Sequence, residues 1–170
     1  MAKAMRKAKN MARSARAQKT ARRSRSKVSA RSRVAKSKAG QKKPNKQSFV
    51  ASHHRPDAFE GGLRRYAKYR DLGIAAATNG LARAHVIKMI PPCDPAEVSK
   101  RHYHDVEFQM IYVLKGWIKG EYHGAGVVTM REGSCWLQPP KIKHTVLDYS
   151  DDCELLEIIL PADFETVELE

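Results

Sequence analysis

The first 50 residues of this 170-residue chain contain no acidic side chain and, before Phe49, no aromatic ring. They hold 18 of the 32 Lys and Arg residues, while residues 51–170 hold the other 14 together with all 18 Asp and Glu residues. The net charge of +14 therefore belongs entirely to the N-terminal part. A segment built mainly of Ala, Ser, Lys and Arg buries too little apolar surface to offset the entropy of ordering its chain. We predict that residues 1–47 form a disordered basic tail.

A tail of this charge attracts polyanions. Each phosphate that a Lys or Arg neutralises releases counterions, so contact with DNA or RNA would be blind to sequence and strongly salt dependent. The missing aromatic rings exclude base stacking. Two other interpretations stay open. One is a tail without a dedicated function, including a translated upstream stretch with initiation at Met5, Met11 or later. The other is an organelle-targeting segment, because such segments are also rich in Arg and Ser and poor in acids.

Long hydrophobic runs are missing as well. No stretch of about 18 apolar residues occurs, so we expect no membrane-spanning helix, and the apolar core of a secretory signal is absent. The chain has three cysteines, Cys93, Cys135 and Cys153, with no Cys-x-x-Cys spacing. This odd number argues against a disulfide scaffold and indicates a reducing, cytoplasmic location. We interpret the cysteines as small buried residues, with Cys135 the one that could adjoin a metal.

The remaining chain is predicted to be all-β. Residues 48–68 contain Pro56, Gly61 and Gly62 and are interpreted as a linker or edge segment, which leaves residues 69–170 as one domain. In this domain apolar residues alternate with strand periodicity, and turn residues recur roughly every 10 to 15 positions. The pattern favours a small antiparallel double-sheet barrel around a cavity. The predicted strands are Tyr69 to Ile74, Arg83 to Ile90, Phe108 to Leu114, Trp117 to His123, Val127 to Arg131, Cys135 to Gln138, Thr145 to Tyr149 and Glu154 to Leu160.

The strand from Phe108 to Leu114 is apolar on both faces. Gln109, Ile111 and Val113 alternate with residues 108, 110, 112 and 114, which are also apolar. We therefore expect both faces to be covered, one as a wall of the cavity and the other by the second sheet or by a second copy of the chain. A homodimer is the prediction that follows.

Histidines provide the clearest chemical signal. His102 and His104 are two residues apart, so in a strand they point to the same face and can offer two imidazoles to one ion. A loop or bulge through residues 105–107 would restart the strand with altered parity and aim Gln109 at the same point, and His144 would arrive from a later strand. Three imidazoles and one amide oxygen suit a divalent transition metal: iron, manganese, nickel, zinc or copper.

The two segments HYHDVEFQMIYVLKG and GSCWLQPPKIKH, residues 102–116 and 133–144, resemble the two conserved motifs of the cupin superfamily. The resemblance implies a jelly-roll barrel whose motif ligands fall on His102, His104, Gln109 and His144. It also implies a small-molecule ligand inside the barrel. Cupins host many unrelated activities, so the resemblance does not choose a substrate.

This sequence departs from the family pattern at several positions. Ala96 and Lys141 stand where the family usually has glycine, and we expect these changes to affect only loop geometry. Gln109 replaces the usual glutamate, which leaves a bound dication uncompensated and removes a possible general base. Glu107 is an alternative carboxylate ligand, but the count of residues to Gly116 favours Gln109.

The remaining histidines and aromatic residues have plainer interpretations. We expect His53 and His54 to be a solvated pair, His85 to be a structural histidine, and His123 to be exposed beside a hairpin turn. Four aromatic residues are expected in the core, with a cavity wall as their alternative place: Trp117, Tyr122, Trp136 and Tyr149.

Three functions are compatible with these features. The first is a metal-dependent enzyme that acts on a small oxygen-bearing molecule by isomerase, lyase or dioxygenase chemistry. The second is a non-catalytic module that binds a small ligand or a metal. The third is a polyanion-binding protein whose basic tail carries the function.

Overall fold

The computed structural model describes residues 46–62 and 64–170. These residues form eleven strands, two short α-helices and one 3-10 turn at Pro56–Ala58. The helices are α1 (Ile74–Ala77) and α2 (Pro95–Val98). The strands, in chain order, are β1 (Glu60–Gly61), β2 (Ala67–Asp71), β3 (Arg83–Met89), β4 (His102–Asp105), β5 (Phe108–Lys115), β6 (Trp117–Tyr122), β7 (Gly126–Arg131), β8 (Cys135–Leu137), β9 (His144–Tyr149), β10 (Glu154–Leu160) and β11 (Glu165–Glu168).

The strands form two antiparallel sheets. The six-stranded sheet has the order β1-β2-β3-β10-β5-β8, and the five-stranded sheet has the order β11-β4-β9-β6-β7. Ile111 and Val113 of β5 pack in one apolar cluster with Ile118 and Tyr122 of β6, so the sheets are joined face to face by a shared core. This confirms the predicted all-β double-sheet architecture. The predicted disordered tail lies almost wholly outside the described residues.

Seven of the eight predicted strands agree with the structure to within one residue at each end. The prediction for the first strand, Tyr69 to Ile74, was wrong at both ends, because β2 begins at Ala67 and stops at Asp71. The Asp71 carboxylate accepts a hydrogen bond from the backbone N–H of Gly73 at 2.9 Å, and Gly73 has a φ of 75°. Together they turn the chain out of the sheet and into α1.

The two faces of β5 differ in burial. Gln109, Ile111 and Val113 are buried, whereas Phe108, Tyr112 and Leu114 keep 37%, 38% and 40% of their surface exposed. The second sheet packs on the inner face of β5 and leaves the outer face exposed. Of the two covers expected for the outer face, the second sheet is therefore excluded, and a second copy of the chain remains a prediction. Leu137 on the neighbouring strand β8 adds to this exposed apolar surface.

The three cysteines are free. Cys153 is fully buried in the core, and burial raises the pKa of its thiol to about 12. Cys93 is half-buried, whereas Cys135 is exposed because β8 is the edge strand of its sheet. No helix in the described part of the chain has the length and apolar character needed to cross a membrane.

Lys141 has a left-handed backbone conformation, with a φ of 60°. This is the position where the sequence carries lysine in place of the family's glycine. Its backbone N–H donates to the His104 carbonyl at 3.1 Å, so the conformation ties the loop before β9 to β4. A side chain in this region costs roughly 1 kcal/mol, which glycine avoids. The ion pair of Lys141 with Asp105 is more than half exposed on both sides and offsets little of that cost.

We therefore expect Lys141→Gly to raise the free energy of unfolding by about 1 kcal/mol, because glycine accepts the left-handed conformation without strain. Lys143→Gly is the matched control. Lys143 is an exposed neighbour without a positive φ, and its replacement should lower stability by about 0.5–1 kcal/mol. Urea denaturation of both variants measures the difference, and equal losses would contradict this account of the loop.

Candidate metal centre

Three histidines meet where β4 pairs with β9. His102 lies directly opposite His144 in the antiparallel register, and His104 lies two residues further along β4. The ring centroids are 4.3 Å apart for His102 and His144, 5.0 Å for His102 and His104, and 5.2 Å for His104 and His144. One ring nitrogen from each histidine lies within 4.8 Å of the other two. The structure thus brings together the three imidazoles that the sequence predicted, and this group could hold a metal ion.

The other ring nitrogens are already engaged. Nδ1 of His102 is 2.8 Å from the Lys100 carbonyl oxygen, and Nδ1 of His144 is 2.9 Å from that of Ile142. A carbonyl can only accept, so Nδ1 donates in both rings and Nε2 keeps its lone pair. Nδ1 of His104 lies 2.8 Å from the Thr166 hydroxyl, which can donate or accept. When Nδ1 donates to this hydroxyl, Nε2 of His104 keeps its lone pair as well. Hydrogen bonds of this kind orient metal-binding histidines.

The electrostatic state of the rings also suits a metal. Burial, followed by the charge of His144, lowers the pKa of His102 to about 3. Burial lowers the pKa of His104 to about 4, and it also lowers the pKa of His144. At pH 7 the three rings are therefore neutral, and no proton competes for the free nitrogens. The donor set fits a divalent transition metal.

Gln109 reaches the site from the opposite sheet. The sequence predicted a loop or bulge through residues 105–107 that restarts the strand. In the structure, residues 106 and 107 carry the chain from β4 in one sheet to β5 in the other. Val106 is buried in this crossing, and the Glu107 N–H donates to the Leu160 carbonyl at 2.7 Å. Gln109 is buried and lines the same cavity as the three histidines.

Glu157 is the residue of the site that the sequence interpretation missed. Its Oε1 accepts a hydrogen bond of 2.6 Å from Nε2 of Gln109, and its Oε2 lies 2.5 Å from Nε2 of His85. Burial opposes ionisation of this carboxyl, but the hydrogen bonds and charge of His85 and the hydrogen bond from Gln109 outweigh it and hold its pKa below the usual value. One signal was present in the sequence, since Glu157 is the single charged residue inside the apolar run from Leu155 to Leu160.

These residues surround one cavity of about 870 Å³ between the sheets. Tyr122 stacks on His144 with centroids 5.9 Å apart, and Phe164 meets His104 edge-on at 5.6 Å. Tyr122 and Tyr149 belong to the core cluster, and Trp136 packs against it. Tyr122 and Trp136 also line the cavity, whereas Trp117 is half-buried outside its lining. His85, expected to be a structural histidine, has a carboxylate partner and also lines the cavity.

Several other residues considered from the sequence lie away from this site. Glu107, the alternative carboxylate ligand, is exposed and does not line the cavity. The Cys135 thiol does not join the group of three histidines. The remaining histidines, His53, His54 and His123, are exposed and also lie outside the lining of this cavity.

Comparisons with known proteins agree with this architecture. Residues 93–159 match the model of the cupin domain. A search of the curated proteins returned no match. Among solved structures, the polyketide cyclase RemF from Streptomyces resistomycificus is similar over 72% of this chain and 87% of its own, with 16% identity and a TM-score of 0.57.

Two further solved structures share the fold. KdgF from Halomonas sp. matches 67% of this chain and 94% of its own, with 17% identity and a TM-score of 0.51. Oxalate decarboxylase from Lactobacillus farciminis matches 65% of this chain but only 33% of its own, with 13% identity and a TM-score of 0.51. Identities this low establish the fold and not the activity. Residues 93–159 are thus matched by the cupin domain model, and they lie within a two-sheet fold that these solved structures share.

Proposed function

We propose that His102, His104, His144 and the amide oxygen of Gln109 hold one divalent transition metal, and that the protein uses it on a small oxygen-bearing molecule in the cavity. The observation that carries this proposal is the set of three neutral imidazoles, each with Nδ1 engaged and Nε2 free, beside one cavity. Iron, manganese, nickel, zinc and copper all suit this donor set.

The reaction class we propose is isomerisation, bond cleavage of the lyase type, or dioxygenation. The metal would polarise an oxygen of the bound molecule or, as iron, activate dioxygen. Neighbouring side chains orient the four metal-binding residues and partly enclose them. Glu157 accepts from Gln109 Nε2 and so leaves Gln109 Oε1 as the free end of that amide. Tyr122 and Phe164 pack on two of the imidazole rings.

Glu157 would also supply the negative charge that the neutral Gln109 does not offer to a bound dication. A neutral amide at this position cannot balance a dication, but the buried Glu157 carboxylate lies one hydrogen bond behind it. In this proposal Glu157 is a positioning and charge-balancing residue. The alternative function is a non-catalytic module that binds a small ligand or metal in the same cavity, and turnover on a panel of sugars, keto acids and thiols would separate it from an enzyme.

We also propose that the basic tail contacts nucleic acid or another polyanion. The support is the charge distribution, since residues 1–50 carry 18 basic side chains and no acidic ones. Such contact depends on charge alone and would add to the activity of the cupin domain rather than replace it.

A homodimer in the cytoplasm completes the proposal. The outer face of β5 and β8 presents Phe108, Tyr112, Leu114 and Leu137 together, a surface that a second copy would bury. β8 is also the edge strand of its sheet. The cytoplasm is supported by three free cysteines, one of them exposed, which a reducing compartment preserves.

The metal proposal predicts close to one metal ion per chain when the full-length protein is purified without chelator or metal-affinity resin. A His102→Ala, His104→Ala double variant should lose that metal, because two of its ligands are removed. A His53→Ala, His54→Ala variant is the matched control and should keep it, since those histidines are exposed and lie outside the site. Plasma mass spectrometry measures the content. Wild-type protein that neither contains nor takes up any of the five metals would refute the site.

The tail proposal predicts that the full chain shifts DNA in a gel and that a chain starting at residue 46 does not. The shift should weaken steeply between about 50 and 200 mM salt, because the contacts are to phosphates. The unchanged circular dichroism of the shortened chain would show that its domain is intact. A shift that survives the deletion would assign binding to the cupin domain instead.

The dimer proposal predicts a sedimentation mass twice the 19.2 kDa of one chain. Leu137→Lys should shift the mass to a single chain, because it places a charge in the buried interface. Leu81→Lys alters a leucine that is also exposed but lies in the turn before β3, on neither β5 nor β8, and it should leave the mass unchanged. A wild-type protein that sediments as one chain at micromolar concentration would exclude the dimer.

A further inference from the structure

Arg64 is a buried cation beside the candidate metal centre. Only 10% of its side chain is exposed, and it lines the same cavity as His102, His104 and His144. A charged side chain rarely loses this much solvent unless its hydrogen bonds are satisfied by partners. The partners of its guanidinium therefore decide what the residue does.

The guanidinium is only half satisfied. Nη1 donates to Oε1 of Glu168 at 2.5 Å. Nη2 is shut off from solvent and has no hydrogen-bond partner among the described residues. Leaving a charged donor buried and unpaired is costly, so an acceptor is needed next to it. The cavity that Arg64 lines is where such an acceptor can enter.

The fold holds Arg64 in this place. Glu168 on β11 pairs in register with His102 on β4, so the ion pair fixes the guanidinium beside the histidines. Just before Arg64, the backbone of Gly62 packs directly against the ring of Tyr69, because a Cβ added to Gly62 would lie 2.4 Å from that ring. Only glycine allows this approach. The position of Arg64 is thus built in and does not depend on a loose surface loop.

The carboxylates of the described residues leave Nη2 of Arg64 without an acceptor. The buried Glu157 is hydrogen-bonded to Gln109 and lies beside His85. Glu168, whose side chain is 58% exposed, binds Nη1 alone. An anionic ligand in the cavity would supply the missing acceptor.

We propose that Nη2 of Arg64 binds the carboxylate of a small organic acid, which makes a carboxylic acid the substrate class of this cavity. This inference rests on the proposed metal-dependent function and names its ligand. A carboxylate matches the planar guanidinium geometry, and with Nη1 held by Glu168 the free arm suits a monoanion better than a phosphate dianion. Arg64 is a binding residue that selects acids over their neutral analogues.

The test compares two acids, each with a neutral analogue that lacks the carboxylate. Salicylate and salicylamide have the same ring and hydroxyl group and differ only in the carboxylate, and glucuronate and glucose form a second pair. Calorimetric titration of the full-length chain gives the affinities of the four compounds, once for the metal-loaded and once for the metal-free protein. We expect each acid to bind roughly 10–100-fold more tightly than its neutral partner, the range for a hydrogen bond to a charged group.

Variants at neighbouring arginines locate the effect. Arg64→Gln should bring the ratio of acid to neutral affinity close to one, whereas Arg64→Lys should keep part of it because the charge remains. Arg65→Gln removes the same charge from an exposed neighbour outside the cavity, so it should leave the ratio unchanged and also controls for anion binding by the basic tail. Thermal melting of each variant checks that it is folded.

Glu168→Gln separates anion binding from a purely structural ion pair. If Arg64 binds the acid, this variant should keep or strengthen the preference, because it frees Nη1 as well. If Arg64 serves only to pair with Glu168, Arg64→Gln and Glu168→Gln should change the ratio of acid to neutral affinity by the same amount. That result would overturn the inference. It would also be overturned by wild-type protein that binds no acid saturably up to about 10 mM, or that binds acid and neutral partner equally.

Metal analysis of the same samples keeps the two proposals apart. A protein that neither contains nor takes up any of the five metals, yet still prefers acids through Arg64, would refute the metal site and leave this inference standing. A protein that holds one metal but shows no acid preference would refute this inference and leave the metal site standing.

Discussion

The pairing of β4 with β9 is the contact on which the candidate site depends. It places His102 on β4 opposite His144 on β9. Because alternate residues of a strand point to the same face, His104 lies on that face as well. Backbone carbonyls at Lys100 and Ile142 then turn two of the rings by accepting from Nδ1. The geometry of the three imidazoles therefore comes from strand register and main-chain hydrogen bonds, which rigid sheets hold well.

The six-stranded sheet contributes a buried carboxylate, Glu157, to the same cavity. Glu157 on β10 lies between His85 on β3 and Gln109 on β5, and the three side chains form one hydrogen-bonded row. Gln109 has no carboxylate of its own, but it is hydrogen-bonded to the carboxylate of Glu157. A buried carboxylate in this position is tolerable because donors on both sides satisfy it. The row links the middle of the six-stranded sheet to the candidate metal centre.

Features set by local periodicity could be predicted from the sequence. Alternation located seven strands to within a residue, and the spacing of His102 and His104 placed two rings on one face. Features set by strand order could not be predicted in the same way. Glu157 meets Gln109 only because β10 lies next to β5. Arg64 lines the same cavity as the histidines, where it pairs with Glu168 on β11, the strand next to β4. Such contacts join residues far apart in the chain, and no short window of sequence contains them.

The central claim is that one metal ion is held by the free nitrogens of three histidines and the oxygen of Gln109. Crystals of the metal-loaded protein, measured at the absorption edge of the bound metal, test it most directly. The account predicts one anomalous peak at roughly 2.1 Å from Nε2 of His102, His104 and His144, with Gln109 Oε1 completing the set. A peak bound through Nδ1, or one located at other residues while this cavity holds none, would contradict it.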